Sequence, residues 1–176
     1  MGDFEFPQFY HYPPSFTLQP VKETQERQRA LWRELVPRYC THTKTYILSV
    51  DDADIPLFYN ASIQRRLDRQ TISLILGDLV TAGQARWLTP KKDRAVILWQ
   101  SLAASADALH RWARSTGQEG GVVSFEELVQ GSELRGSALE GAPREFLKMV
   151  VKVLEESGRA RVFGGRNEDD VGIKFS

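Results

Sequence analysis

The sequence predicts an α+β chain in which an extended N-terminal arm, rich in proline and aromatic residues, precedes two winged-helix domains in tandem. Three observations predict this architecture: an apolar helical stripe that recurs after 75 residues, a glycine that closes each copy of the helix, and two short strands after each glycine. The predicted boundaries place the arm at 1–20, the first winged-helix domain at 21–102 and the second at 103–176.

The arm states one pattern twice within residues 6–20, FPQFYHYPPSFTLQP, a stretch without aspartate, glutamate, lysine or arginine. Both copies read aromatic, proline, proline or glutamine, any residue, aromatic, and they lie six positions apart. Proline favours a polyproline II helix with three residues per turn and about 3.1 Å per residue. Six residues then make two whole turns, so we expect both sets of aromatic side chains to point the same way, about 19 Å apart.

Aromatic side chains on a stiff segment are good anchors for a partner's groove, because they bury much area and lose little rotamer entropy. A doubled pattern favours an intermolecular role, since packing against the arm's own domain gives no reason for stating it twice. Two alternatives stay open. The arm could fold back over the first domain, or it could be a ligand for the WW or SH3-type domains that read proline-rich segments.

Helices and turns are predicted between the arm and the repeated stripe. Amphipathic helices are expected around Trp32 and around Trp112, and Pro37 should kink the first of these or divide it in two. The segments SIQRRL (62–67) and SFEELV (124–129) predict short helices, each opened by the cap of its first serine.

The repeated stripe has apolar residues at i, i+3, i+4 and i+7, which is one face of an amphipathic helix. Its members are Ile72, Ile75, Leu76 and Leu79 in the first copy and Leu147, Val150, Val151 and Leu154 in the second. Gly83 or Gly158 follows and suits the left-handed position after a helix. A strand (QARWL or RARVF), a turn (TPKKDR or GGRNEDD) and a second strand (AVILW or VGIKF) then complete the wing of a winged helix.

Composition and motifs argue against catalysis. His11, His42, His110 and the single cysteine, Cys40, show no paired spacing for a metal site, and no phosphate-binding or hydrolase motif occurs. We therefore expect a protein that is not an enzyme and has no cofactor. The 23 basic residues balance 23 acidic ones, so nothing global attracts nucleic acid or an anionic membrane.

The alternative function is that of a nucleic-acid-binding or transcription-associated protein, because winged helices often place their third helix in the major groove. That helix should present several uncompensated basic side chains to the phosphates. In the first domain only Arg69 does so, and in the second Lys148 and Lys152 are countered by neighbouring glutamates. The charge pattern therefore disfavours this alternative.

Motifs along essentially the whole chain resemble the vacuolar protein sorting subunit family that is present in two copies in ESCRT-II, the endosomal sorting complex. They are PPSFTLQP (13–20), PLFYN (56–60), IQRRL (63–67), ILW (97–99), Trp112 with STGQ (115–118), VSFEEL (123–128) and GIKF (172–175). The family motif in the arm is P-P-x-Y-like. This sequence departs from it at Gln8, in place of the second proline, and at Phe16, in place of tyrosine.

The resemblance implies a non-catalytic ESCRT-II subunit of the cytoplasm that is recruited to endosomal membranes. It implies that the arm docks on winged helices of the two larger subunits, one copy of the chain on each, and that the second winged helix recruits and nucleates ESCRT-III. The complex would then sort ubiquitinated cargo into multivesicular bodies. The partner-binding residues implied by the resemblance are Phe6, Pro7, Phe9, Tyr10, Tyr12, Pro13, Pro14 and Phe16.

Overall fold

The computed structural model describes residues 2–130, 132–164 and 170–176, and the chain divides into two units, Met1–Trp99 and Gln100–Ser176. The first unit contains the arm as well as the first winged helix. Its helices and strands are α1 (Lys22–Thr43), β1 (Ile47–Ser49), β2 (Tyr59–Asn60), β3 (Arg65–Arg66), α2 (Arg69–Thr81), β4 (Ala85–Trp87) and β5 (Arg94–Ile97). Strands β1, β5 and β4 form an antiparallel sheet in that order, and β2 pairs with β3.

The second unit follows the same plan of helices and a terminal hairpin. Its elements are α3 (Leu102–Ser115), β6 (Val122–Ser124), α4 (Phe125–Val129), α5 (Arg144–Glu156), β7 (Ala160–Phe163) and β8 (Gly172–Phe175). Strands β6, β8 and β7 form an antiparallel sheet in that order. The α+β architecture predicted from the sequence is thereby confirmed. Part of the predicted second turn, residues 165–169, lies outside the described residues.

Helices α2 and α5 are the repeated helix that the stripe predicts. Both have 13 residues, and each bound of α5 lies 75 positions after the corresponding bound of α2. All eight stripe residues are buried. Gly83 and Gly158 follow with φ of 76° and 75°, the left-handed conformation that favours glycine. The predicted duplication is confirmed.

The wings depart from this spacing. Ala85 of β4 pairs with Ile97 of β5, whereas Ala160 of β7 pairs with Phe175 of β8. Ala160 follows Ala85 by 75 positions, but Phe175 follows Ile97 by 78. The second hairpin is therefore three residues longer than the first.

The predicted short helix at 62–67 is wrong. The side-chain oxygen of Asn60 accepts the backbone N–H of Ser62 at 3.1 Å, so that the serine belongs to a turn rather than to a helix cap. Gln64 then takes a φ of 52°, which a helix does not allow, and the chain returns as strand β3. The helical cap in this unit is Asp68, which accepts the N–H of Thr71 at 2.7 Å and opens α2.

The corresponding prediction for Ser124 is confirmed. Its hydroxyl accepts the N–H of Glu127 at 3.1 Å, and the Glu127 carboxylate accepts the N–H of Ser124, so that α4 opens with a capping box.

Helix α1 is continuous through Pro37, so the sequence-based possibility that this proline divides the helix is wrong. Side chains on both sides of Pro37, from Trp32 to Cys40, are buried on one face of α1. Packing of that face stabilises the helix on both sides of the missing N–H, which explains why one lost hydrogen bond does not end it.

Candidate functional site

The arm is not a polyproline II helix, so that prediction is wrong. It forms two 3₁₀ turns, Gln8–His11 and Pro13–Phe16, which lie against their own unit. The ring centroids of Tyr10 and Phe16 are 5.6 Å apart and not the predicted 19 Å. The physical reason is the hydrophobic effect, because the turns bring these rings together over apolar surface that an extended arm would leave in water.

The backbone of the arm repeats with a different period from its sequence. The N–H of Tyr10 donates to the carbonyl of Pro7, and the equivalent bond five residues later joins Ser15 to Tyr12. The aromatic pattern repeats after six residues. The two copies consequently occupy different positions in their turns, and Tyr10 is the third residue of its turn whereas Phe16 is the fourth.

The arm runs back along α1 in the opposite direction. Near the end of α1, the ring of Phe4 lies 5.4 Å from that of Tyr39. Closer to its start, the rings of Phe9 and Phe16 both meet Trp32 edge-on at 5.3 Å. Such edge-to-face pairs add to the stabilisation from buried area. Trp32 is fully buried, so the arm completes the core of the first unit.

Polar groups in and just before strand β2 bind the first turn, Gln8–His11. The Tyr10 hydroxyl donates to the carbonyls of Pro56 and Tyr59, and the side-chain amide of Asn60 donates to the Tyr10 carbonyl at 2.8 Å. Burial, and secondarily the neighbouring Tyr39, raises the pKa of Tyr10 to about 12. The phenol is therefore a neutral donor at physiological pH.

Polar groups of α1 hold the second turn. The amide nitrogen of Gln28 donates to the carbonyls of Ser15 at 3.0 Å and Thr17 at 2.8 Å, and its amide oxygen accepts the N–H of Gln19 at 3.0 Å. The indole N–H of Trp32 donates to the Ser15 carbonyl at 3.0 Å. Gln28 and Trp32 are both buried, and their partners are all backbone groups of the arm. Side chains of helix α1 thus fix the position of this turn through specific hydrogen bonds.

The eight residues predicted to bind a partner fall into three classes of exposure. Tyr10 and Phe16 are buried, each 4 % exposed, whereas Phe6, Pro7, Phe9 and Pro13 are half-buried and Tyr12 and Pro14 are exposed. Tyr12 is 62 % exposed. The sequence pattern treats all aromatic members alike, but the fold turns some inward and leaves others on the surface.

Two hollows flank the exposed edge of the arm where it meets α1. One lies among Phe9, Tyr12, Pro14, Arg27 and Leu31, with the polar side chains of Gln19, Thr24 and Gln28 at its edge. The other lies towards the end of α1 and has Pro7, Phe9, Leu31, Glu34, Leu35 and Arg38 as its walls. Phe9 and Leu31 stand between the two hollows and belong to both. Leu31 is 42 % exposed and lines the first hollow together with the exposed Tyr12, so the two form an apolar patch that marks this surface as a candidate contact.

The second unit has an apolar groove between α5 and the wing. Phe125, Val151, Val162 and Val171 form its apolar wall, and Lys148, Lys152 and Glu155 border it. Phe163, at the end of the neighbouring strand β7, is also exposed. An apolar groove with charged borders suits an amphipathic helix.

In the described part of the chain, no group of three or more histidine, cysteine, aspartate or glutamate side chains could hold a metal ion. Burial raises the pKa of the Cys40 thiol to about 12, so that it is not a thiolate at neutral pH. Within the same residues, no helix combines the length and the apolar character that a membrane span requires.

Ion pairs account for much of the charge on the helices that would face nucleic acid. Arg69, at the start of α2, pairs with Asp51 at 2.9 Å. In the second unit, Arg144, at the start of α5, pairs with Glu126 at 2.7 Å. Cations engaged with carboxylates are poor phosphate contacts, so the geometry adds nothing to the nucleic-acid alternative.

Comparison with known proteins identifies the family. The family model described as "ESCRT-II complex subunit" matches residues 9–143. The chain is 39 % identical to vacuolar protein sorting-associated protein 25 of Arabidopsis thaliana over 176 residues, covering 100 % of this chain and 98 % of that protein. It is 31 % identical to the Drosophila melanogaster protein of that name over 175 residues, covering 99 % of each.

Solved structures agree with the sequence relatives. The crystal structure of subunit VPS25 of the endosomal trafficking complex ESCRT-II matches with a TM-score of 0.83 and 27 % identity, covering 96 % of this chain and 97 % of that one. A chain in the crystal structure of endosomal complex ESCRT-II (VPS22/VPS25/VPS36) matches with a TM-score of 0.80 and 27 % identity, covering 96 % and 98 %. The chain therefore belongs to the vacuolar protein sorting-associated protein 25 family of ESCRT-II complex subunits.

Proposed function

We propose that this chain is a non-catalytic scaffold subunit of ESCRT-II that docks on the two larger subunits through its N-terminal arm, one copy of the chain on each. The observation that carries this proposal is the match, along nearly the whole of both chains, to a protein solved within a complex named for three subunits (VPS22/VPS25/VPS36). The apolar surface that the arm and α1 expose supports the choice of the arm as the contact. Phe6, Pro7, Phe9, Tyr10, Tyr12, Pro13, Pro14 and Phe16 stay the predicted partner-binding set.

The second unit, in this proposal, recruits an ESCRT-III subunit and so nucleates ESCRT-III on the endosomal membrane. The complex thereby sorts ubiquitinated cargo into multivesicular bodies, and the chain moves from the cytoplasm to endosomes through its partners. The groove along α5 supports this part, because its apolar wall and charged borders fit the two faces of a helix.

Assembly is tested by co-purifying the full chain with the two larger subunits and weighing the intact complex by native mass spectrometry. We expect two copies of this chain and one of each larger subunit. A photo-cross-linking amino acid at Gln8, an exposed position of the arm, should capture both larger subunits, whereas the same group at Lys92, an exposed position in the turn between β4 and β5, should not. A complex without this chain, or equal capture from both positions, would contradict the proposal.

The ESCRT-III contact is tested with Val162→Glu, which places a charge in the groove of the second unit. Binding of the first helix of the ESCRT-III subunit, measured by fluorescence anisotropy, should weaken at least about tenfold, because an apolar contact would have to desolvate a carboxylate. Glu156→Lys on the exposed end of α5 is the matched control and should bind normally. Normal binding by both variants would exclude the groove.

A further inference from the structure

We propose that the arm binds its partner in place, without leaving its own unit. On this view Tyr10 and Phe16 hold the arm, while Phe9, Tyr12 and Pro14 of the arm and Leu31 of α1, together called the arm face, make the contact. The occupant is a larger ESCRT-II subunit that offers an apolar hollow bordered by carboxylates. This inference rests on the proposed function and gives five of its eight partner-binding residues different tasks, two inward and three outward.

The inward group is fixed by bonds that are lost if the arm detaches. The buried Gln28 side chain satisfies backbone groups of the second turn on both its nitrogen and its oxygen. Release would leave a buried tryptophan, Trp32, without the rings of Phe9 and Phe16 and without the Ser15 carbonyl. Exposing such rings to water is unfavourable and the ordered hydrogen bonds to the arm are lost, so binding in place avoids a cost that insertion would incur.

The outward group is already arranged for contact. Tyr12 and Leu31 are 62 % and 42 % exposed, and Phe9 and Pro14 complete the walls of the same hollow. The 3₁₀ turns fix the backbone on either side of Tyr12, since its N–H donates to Phe9 and its carbonyl accepts from Ser15. A backbone that is already fixed loses little entropy on binding, which favours affinity.

The charged residues beside the two hollows indicate which charges the contacting surface of the partner should have. Arg27 is exposed beside the hollow and forms no ion pair with the carboxylates in the described ranges of the chain. Arg38 and Glu34 border the neighbouring hollow, and residues 6–20 of the arm have no acidic group. The charged side chains that border the two hollows are thus two arginines and one glutamate, a positive balance that favours carboxylates opposite.

The test measures binding of the full chain to the purified pair of larger subunits by calorimetry. Tyr12→Ala should raise Kd at least about tenfold, because an exposed aromatic anchor carries much of such a contact. Val21→Ala is its matched control, since Val21 is also 62 % exposed but lies off the arm face, and its Kd should be unchanged. Arg27→Glu should raise Kd by about three- to tenfold, an effect that shrinks in high salt, whereas Arg111→Glu in the second unit should not.

Two further measurements distinguish binding in place from insertion. Tyr10→Phe should leave Kd unchanged, because its hydroxyl bonds only within its own unit. The Trp32 indole N–H should stay protected from hydrogen exchange in the complex, because Ser15 stays its acceptor. A weaker Tyr10→Phe complex, faster exchange at the Trp32 indole N–H, or equal Kd for Tyr12→Ala and Val21→Ala would overturn the inference. If the wild-type chain fails to assemble with the larger subunits, the proposed function itself fails.

Discussion

Each unit of the chain has a tryptophan on its first long helix, and the two tryptophans are covered in different ways. In the first unit the indole N–H of Trp32 donates to the arm, at the carbonyl of Ser15. In the second unit the indole N–H of Trp112 donates to the connection between α4 and α5, at the carbonyl of Glu133. The donor distances are 3.0 and 2.9 Å, and both side chains are buried.

The comparison teaches that the arm serves the first unit as the connection between α4 and α5 serves the second. The second unit covers Trp112 with a loop tied down at both ends by helices. The first unit covers Trp32 with the arm, which continues towards α1 and is further attached by the side chains of Gln28 and Asn60. Such a cover can carry exposed aromatic residues on its outer side while its inner side belongs to the core.

The largest effect should come from removing either tryptophan. We expect Trp32→Ala to lower the free energy of unfolding of the first unit by about 3–5 kcal/mol, because it leaves a cavity under the arm. Hydrogen exchange followed by mass spectrometry should show faster exchange in the arm and unchanged exchange in 132–143. Trp112→Ala should give the reverse pattern. Faster exchange of both segments in either variant would show that the arm and residues 132–143 do not cover their tryptophans independently.

The next largest effect should come from Gln28→Met, which keeps the shape of the side chain but removes its hydrogen bonds. The carbonyls of Ser15 and Thr17 each lose one of two side-chain donors, keeping Trp32 and Gln19 respectively, and the N–H of Gln19 loses its acceptor. We therefore expect a loss of about 1–2 kcal/mol in chemical unfolding. Gln25→Met, one turn earlier on α1, loses a bond to the Gln19 carbonyl and one from Arg29 at a more exposed position and should cost less. Equal losses of unfolding free energy in the two variants would mean that burial does not determine how much these hydrogen bonds contribute to stability.

Much of the fold could be predicted from the sequence. The stripe from Ile72 to Leu79 and its copy at offset 75 identify both buried helices, because helical periodicity is written directly in the apolar pattern. The prediction failed at Ser62, where a side-chain bond from Asn60 and the positive φ of Gln64 favour a turn. Short segments depend on such bonds, and a propensity pattern does not contain them.

The site could be predicted only in part. The aromatic and proline pattern located the arm, but it gave no sign that the arm would fold into turns or which rings would point inward. The direction of Tyr10 and Phe16 depends on Trp32, Gln28 and Asn60, which lie at least 12 and up to 50 positions away in sequence. Gln28 is the functional residue that sequence reasoning missed, since a glutamine in an amphipathic helix usually indicates an exposed position.

A pH titration should show a smaller effect at Tyr10. The unfolded chain loses the tyrosine proton near its ordinary pKa of 10.0, whereas burial holds the pKa of the folded side chain at about 12. The contribution of Tyr10 to stability is therefore complete below pH 10 and is lost as pH rises from 10 to 12, by up to about 1.4 kcal/mol per pH unit. Tyr10→Phe cannot titrate, so its free energy of unfolding should decline less steeply over this range. Parallel declines would show that Tyr10 is not held as described.

The smallest effect on stability should come from replacing Tyr12, on the outward side of the arm. Tyr12 is 62 % exposed, and neither the described hydrogen bonds nor the ring contacts involve its side chain. Tyr12→Ala should therefore change the free energy of unfolding by less than about 0.5 kcal/mol. Phe16→Ala, by contrast, removes a ring that is 4 % exposed and should cost about 3–5 kcal/mol.

Chemical unfolding of these two variants sharpens the comparison within a single segment, since Tyr12 caps the turn that ends four residues later at Phe16. A large loss for Tyr12→Ala would mean that the outer side also stabilises the first unit. A small loss for Phe16→Ala would mean that the arm does not contribute to the core. The expected contrast is what a cover with a structural inner side and a binding outer side requires, because evolution could then vary the exposed residues for a partner without loss of folding.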